Sequence, residues 1–75
     1  MERYRNLGGD SNVAAYELGN GSITVQFNDG SVYLYTNQSA GPANITELQR
    51  LAQVGQGLNS FINRYVRKGY AQKLR

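Results

Sequence analysis

The chain has no cysteine, no histidine and no tryptophan, and only one proline among its 75 residues. Without cysteine there are no disulfides, no thiolate nucleophile and no cysteine-ligated metal, and without histidine there is no imidazole ligand or base. No apolar run reaches the ~18 residues of a membrane span, and the first ten residues lack the apolar core of a secretory signal peptide. We therefore expect one small cytoplasmic domain with no metal ion, no cofactor and no membrane contact.

Acidic residues are few and scattered along the chain. They fall in a polar N-terminal segment, a predicted strand, a turn and a helix start: Glu2, Asp10, Glu17, Asp29 and Glu47. Paired-carboxylate catalysis needs two acids within about 5–10 Å of each other, and no glycine-rich loop followed by lysine is present to hold a phosphate. The sequence therefore predicts a protein that is not an enzyme, with no catalytic residue.

Charge is distributed unequally between the two parts of the chain. Residues 1–47 hold two arginines against all five acids and sum to −3, whereas residues 48–75 hold six basic residues and no acid and sum to +6. Such asymmetry is typical of proteins that bind nucleic acid or an acidic partner. The alternative is a solvated basic helix with no binding role.

Three short segments have the alternating pattern of strands, at residues 13–18, 23–27 and 32–35. Asn20-Gly21 and Asp29-Gly30 separate them, and both dipeptides favour two-residue hairpin turns. Such turns pair Leu18 with Ile23 and Phe27 with Val32. This register predicts one apolar sheet face (Ala14, Tyr16, Leu18, Ile23, Val25, Phe27, Val32, Leu34) and one more polar face (Val13, Ala15, Glu17, Thr24, Gln26, Tyr33, Tyr35).

Two helices are predicted after the strands. Asn44 and Glu47 have the spacing of a capping box for a helix that ends at Gly55. After Gly57, apolar residues recur with helical period (Leu58, Phe61, Ile62, Tyr65, Val66), and the opposite side carries Arg64, Arg67 and Lys68. We expect an α+β domain of order β-β-β-α-α: a three-stranded antiparallel meander with both helices on its apolar face, where Tyr16 and Tyr65 join the core.

The predicted polar sheet face suggests a binding site. Tyr33 and Tyr35 would point the same way and stack on unpaired bases, with Thr24 and Gln26 beside them as hydrogen-bonding groups. The basic residues Arg64, Arg67 and Lys68 would lie on the far side of the sheet. Tyr33 and Tyr35 could equally do no more than support the sheet.

Binding of RNA or single-stranded nucleic acid is therefore the leading hypothesis, and two alternatives stay open. The first is a protein partner or a second copy of the chain on the same tyrosine face, or at a free edge of the third strand. The second is a small polar or nucleotide ligand near residues 36–44 and 55–60, where asparagine, glutamine and serine are frequent.

Several short motifs resemble the KTSC domain, which occurs in small bacterial and phage proteins and at the C-terminus of some lysyl-tRNA synthetases. The resemblance runs over residues 11–70 and rests on Ser11–Tyr16, the strand Ile23–Phe27, the triplet Tyr33–Tyr35, and Gly55–Gly57 leading to Phe61-Ile62. Residues 36–42 differ from the apolar-proline step that is common there. The resemblance implies a single domain over residues 11–70 and favours RNA as the ligand. The polar residues 1–10, which contain Gly8-Gly9 and Tyr4, predict a flexible N-terminal arm, and residues 71–75, just after Tyr70, form a basic C-terminal tail.

Overall fold

The computed structural model describes residues 1–9 and 11–75; Asp10, which the sequence analysis placed in the N-terminal arm, lies outside the described residues. The strands are β1 (Glu2–Arg3), β2 (Val13–Gly19), β3 (Ser22–Phe27), β4 (Val32–Thr36) and β5 (Gln72–Lys73). The helices are α1 (Asn37–Ala40), α2 (Pro42–Val54) and α3 (Leu58–Phe61), and α3 continues into a π-helical segment, Ile62–Val66. The α+β class is confirmed.

The sheet is antiparallel and has five strands in the order β1-β2-β3-β4-β5 instead of the expected three. The N-terminal arm supplies β1, in which Glu2 pairs with Tyr16 of β2. The basic tail supplies β5, in which Lys73 pairs with Tyr33 of β4. An exposed strand edge presents unpaired N–H and C=O groups, and these two short strands occupy both edges of the central meander. The predicted free edge on the third strand is therefore wrong.

The first hairpin follows the prediction at its turn and departs from it farther along. Gly19 pairs with Ser22 around Asn20-Gly21. Gly21 has a φ of 72° whereas Asn20 is not at positive φ, which is the pattern of a type II turn with glycine at its second central position. A bulge between Val13 and Ala15 then changes the register, so that Val13 rather than Ala14 is opposite Phe27. The extra residue reverses the side on which Val13 lies. Val13 is consequently buried in the core, whereas the prediction placed it on the polar face.

The second hairpin has a three-residue loop where a two-residue loop was predicted. The Phe27 N–H donates to the Ser31 carbonyl at 2.9 Å, and the Gly30 N–H donates back to the Phe27 carbonyl at 3.0 Å. Gly30 has a φ of 90°, which is typical of a type I turn closed by a glycine bulge. Val25 is therefore opposite Tyr33, not Leu34. A slip of one residue exchanges the two faces of a strand, so Tyr33 and Tyr35 lie on the apolar face with Val25 and Ile23.

The first long helix begins earlier than predicted. Pro42 occupies its first turn and Gly41 precedes it as N-cap, which suits a residue that has no N–H to satisfy and a φ preset for the helix. Asn44 is not the cap, because it lies inside α2 and its side-chain amide donates to the Ala40 carbonyl at 2.8 Å. The capping box belongs instead to α1, where Thr36 and Ser39 bond each other reciprocally.

The second predicted helix is present but changes its winding. Leu58, Ile62 and Val66 are buried, as expected. Residues 62–66 form a π-helix, whose wider i→i+5 turns rotate later side chains away from the positions of a regular α-helix. Tyr65 is 60% exposed and contacts Phe61, with ring centroids 4.7 Å apart. The prediction that Tyr65 joins the core is wrong.

The core lies between one sheet face and the helices, and α2 packs against β3 and β4. Tyr4 belongs to this core although it was predicted in a flanking arm: it is 3% exposed, and its hydroxyl accepts a hydrogen bond from the Leu58 N–H at 3.3 Å. The buried cluster contains Tyr4, Val13, Tyr16, Ile23, Val25, Tyr35, Ile45, Leu48, Ala52, Leu58, Ile62 and Val66. In the described part of the chain, no helix is long and apolar enough to cross a membrane.

Candidate nucleic-acid interface

An aromatic cluster lies where β4 meets the C-terminal segment. The Tyr33 ring contacts Tyr70 and Phe27 edge to face, with centroid distances of 4.8 Å and 5.7 Å. Tyr70 also contacts Tyr35 at 6.4 Å, and the Lys73 ammonium lies 5.7 Å from the centroid of Tyr33. The pairing of β5 with β4 holds Tyr70 and Lys73 in these positions, since the Ala71 N–H donates to the Leu34 carbonyl at 2.6 Å.

The three tyrosines of this cluster differ in accessibility. Tyr35 is 2% exposed and belongs to the core, Tyr33 is half-buried, and Tyr70 is 38% exposed. Burial, followed by the neighbouring Tyr33 and Tyr70, raises the pKa of Tyr35 to about 12. Tyr35 is therefore a structural residue, and Tyr70 offers the most accessible ring of the three.

A groove of about 240 Å³ opens beside the cluster. Tyr33 and Tyr70 contribute its aromatic wall. Asn63 of the π-helical segment and Arg67, just after that segment, also line it, and Asp29 reaches it from the β3–β4 turn. We call it the tyrosine groove. Aromatic rings with a neighbouring guanidinium are the combination that proteins use to hold unpaired bases.

Arg67 connects the tyrosine groove to a basic surface. A second depression, of about 440 Å³, is lined by Arg64, Arg67 and Lys68 together with Ser39 and Gly69. Arg67 and Asn63 line both depressions. Arg67 therefore lies in the same groove as Tyr33 and also borders the depression that holds Arg64 and Lys68, whereas the predicted register placed all three basic residues on the far side of the sheet from Tyr33.

The cations of this surface carry no carboxylate partner among residues 1–9 and 11–75. The one ion pair in that part of the chain joins Arg50 to Glu47 on α2, and it lowers the pKa of Glu47. Arg5 is also engaged, because its guanidinium donates to the Gln53 carbonyl near the end of α2. Arg64, Arg67 and Lys68 therefore remain available to an anionic ligand.

The predicted hydrogen-bonding residues lie elsewhere. Thr24 is opposite Glu17 and Leu34, and Gln26 is opposite Ala15 and Val32. These pairs occupy the sheet face away from the helices, because their neighbours Ile23 and Val25 point into the core. Thr24 and Gln26 are consequently separated by the sheet from Tyr33 and the groove.

The tyrosine face predicted for a second copy or a protein partner is also not a free surface. Val13 and Tyr35 are buried in the core, and Tyr33 is covered in part by Tyr70 and Lys73. The register of β4 turns Tyr33 and Tyr35 toward the helices, and the bulge in β2 does the same for Val13.

Sequence reasoning missed Tyr70, Asn63 and Asp29 as groove residues. Tyr70 follows Gly69 in a segment with no alternating pattern, so nothing local indicated a strand that would bring it to β4. Asp29 was interpreted only as a turn residue. Hydrogen bonds from the Ser31 hydroxyl and N–H, at 2.6 Å and 2.9 Å, hold its carboxylate and lower its pKa.

A polar cavity of about 220 Å³ lies apart from the tyrosine groove. It is lined by Tyr4 and Asn6 from the N-terminal segment and by Gln56, Asn59 and Ser60 near the start of α3. The sequence predicted a site for a small polar ligand near residues 36–44 and 55–60. Residues of the second range line this cavity, whereas residues 36–44 do not.

Comparison with protein families, with curated proteins and with solved structures found no match. The resemblance to the KTSC domain therefore stays a prediction. Among the described residues, acidic side chains form no cluster of three that could hold a metal ion.

Proposed function

We propose that this chain is a non-enzymatic module that binds RNA or another single-stranded nucleic acid at the tyrosine groove. The observation that carries the proposal is the presence of Arg67 in the same groove as Tyr33 and Tyr70. An aromatic ring stacks on any unpaired base, and each such stack contributes about 1–3 kcal/mol of binding free energy. A neighbouring cation neutralises the phosphate that links one base to the next.

The shape of the surface favours a single strand over a duplex. A base must leave its own stack before it reaches a ring inside a groove, and unpaired bases do so readily. The tyrosine groove is concave and small, and the adjoining depression with Arg64 and Lys68 continues the positive charge along the surface. A strand would place one base against Tyr70 and its flanking phosphates near Arg67 and Lys68.

Fluorescence anisotropy with a short labelled oligouridine tests this proposal. Affinity should fall as salt rises, with a slope of about 0.7 in log K for each phosphate contact on a single strand. Tyr70→Leu removes the ring but keeps apolar contact with Tyr33, and it should weaken binding by about 1–3 kcal/mol. Arg67→Gln should weaken binding and lower the salt slope by about 0.7.

Arg3→Gln is the matched control for Arg67→Gln. It removes the same charge from an exposed residue. Arg3 of β1 pairs with Ala15 of β2, and β1 lies at the opposite edge of the sheet from β5. It should leave affinity and salt slope nearly unchanged. Equal losses for the two variants would show that binding depends only on net charge, and no titration with the parent protein would refute the proposed function.

A further inference from the structure

A carboxylate lies in the tyrosine groove, where a purely phosphate-binding surface would have none. Asp29 lines the groove together with Ser31, Tyr33 and Tyr70. Its Oδ1 accepts both hydrogen bonds from Ser31, from the hydroxyl at 2.6 Å and from the backbone N–H at 2.9 Å. These bonds hold the side chain at the turn and occupy both lone pairs of Oδ1, which leaves the two lone pairs of Oδ2 for donors of a ligand. An aspartate with an ordinary pKa is already ionised at neutral pH, and the hydrogen bonds from Ser31 lower the pKa of Asp29 further.

An ionised carboxylate accepts hydrogen bonds and donates none. It repels phosphate, so a bound strand must keep its backbone toward Arg67 and Lys68 and turn a base edge toward Asp29. The tyrosine groove therefore presents a cation on one side and a hydrogen-bond acceptor on the other. Arg67, which directly follows the π-helical segment, supplies a cation, and the β3–β4 turn supplies the acceptor, with the aromatic rings of Tyr33 and Tyr70 in the same groove. Lys73 of β5 lies beside Tyr33 as a second cation, and its charge also lowers the pKa of Asp29.

The bases differ in what they present to such an acceptor. The Watson–Crick edge of guanine carries two adjacent donors, N1–H and the N2 amino group. Adenine and cytosine carry one amino donor beside an acceptor nitrogen, and the N3–H of uracil lies between two carbonyl oxygens. Only guanine offers neighbouring donors without placing an acceptor against the carboxylate, and single-stranded RNA is commonly recognised on this edge.

We infer that the tyrosine groove selects guanine, with the base stacked on Tyr70 and its Watson–Crick edge donating to Asp29. This inference rests on the proposed function. It goes beyond that function because stacking and phosphate contacts alone distinguish the bases only weakly. A specific two-donor contact discriminates between bases by about 5- to 150-fold in affinity.

The test compares labelled oligouridine with the same oligonucleotide carrying one central guanine, adenine or cytosine. The guanine oligonucleotide should bind about 5- to 150-fold more tightly than the other three. Asp29→Asn should remove that preference while oligouridine still binds. Asparagine keeps an oxygen acceptor for Ser31, so the turn should persist, but it replaces the free carboxylate oxygen with an NH₂ donor.

Glu17→Gln is the matched control, since it removes the same negative charge from an exposed residue of β2 that lies opposite Thr24. It should leave the guanine preference intact. Equal binding of all four oligonucleotides by the parent protein would overturn the guanine inference alone, and so would an Asp29→Asn variant that gains affinity equally for all four. Failure of the parent protein to bind any of them would overturn the proposed function itself.

Discussion

Gly55→Ala tests whether the N-terminal segment packs against the end of α2 as the structure shows. Gly55 ends this helix with a φ of 91°, and its carbonyl accepts a hydrogen bond from the Leu7 N–H at 2.7 Å. A Cβ at this position would lie 2.8 Å from the Cβ of Arg5 and 3.5 Å from the Cγ of Leu7. The close atom is next to the Arg5 backbone, so the N-terminal segment itself would have to move.

The cost has two parts. A left-handed backbone costs an ordinary L-residue about 1–2 kcal/mol, and forcing a carbon atom into a filled contact costs about 1–3 kcal/mol. Gly55→Ala should therefore lower the free energy of unfolding by about 2–5 kcal/mol. A domain of this length has a total stability of about 4–11 kcal/mol, so the variant should lose a large share of it.

Gly30→Ala separates the two parts. Gly30 has nearly the same φ, 90°, and a Cβ there would meet no heavy atom of the described residues within 4 Å. This variant should lose only the backbone part, about 1–2 kcal/mol. Urea unfolding followed by far-UV circular dichroism measures both variants under identical conditions.

A double-mutant cycle identifies the contact directly. Arg5→Gly removes the Cβ that the methyl group introduced by Gly55→Ala would meet, so the combined variant should be more stable than the sum of the single losses predicts. Equal losses for Gly55→Ala and Gly30→Ala, with no coupling to Arg5→Gly, would refute the packing of the N-terminal segment on α2.

Two further predictions concern Tyr35 and the C-terminal strand. Burial raises the pKa of Tyr35 to about 12, against 10.0 for a free tyrosine, so the contribution of its neutral phenol to the free energy of unfolding is complete below pH 10 and is lost as the pH rises toward 12. In Tyr35→Phe, the urea midpoint should therefore fall less steeply between pH 10 and pH 12 than in the parent protein. Identical slopes for the two proteins would contradict the burial of the phenol. Ending the chain at Tyr70 removes the hydrogen bonds that Ala71 and Leu74 donate to β4, so the variant should unfold at lower urea and associate through the exposed edge as concentration rises. A shortened chain that keeps its stability and sediments as a monomer would show that β5 does not protect this edge.

The two hairpins show how far local sequence signals reach. Asn20-Gly21 admits a two-residue loop, and that loop forms. Asp29-Gly30 is compatible with a two-residue loop and with a three-residue loop that includes Asn28, because both need Gly30 at positive φ. Local signals do not distinguish them. The Asp29 side chain bonds the Ser31 N–H in the observed loop, and the resulting register buries Tyr35 with Ile23 instead of Leu34 with Val25.

The composition of the candidate site depends on the length of the same β3–β4 loop. The sequence identified Tyr33, Arg64, Arg67 and Lys68 as candidates for binding, but it separated the tyrosine from the basic residues. A one-residue change in pairing moves Tyr33 to the helix side of the sheet, where the π-helical segment brings Arg67 into the same groove. Thr24 and Gln26 lie in β3, before the second turn, so the changed pairing of β4 does not alter the direction of their side chains. They remain on the sheet face away from the helices.

The sequence by itself determined the features that depend on neighbours along the chain. These are the first hairpin turn, the helix that ends at Gly55, the burial of residues at helical spacing (Leu58, Ile62 and Val66), and the concentration of positive charge after residue 47. Tertiary structure alone decided the rest. Strands of two residues such as β1 and β5 have no stability of their own, and they form because the edges of β2 and β4 supply partners for their backbone groups. The tyrosine groove exists for the same reason, since its walls come from segments that meet only when the sheet is complete.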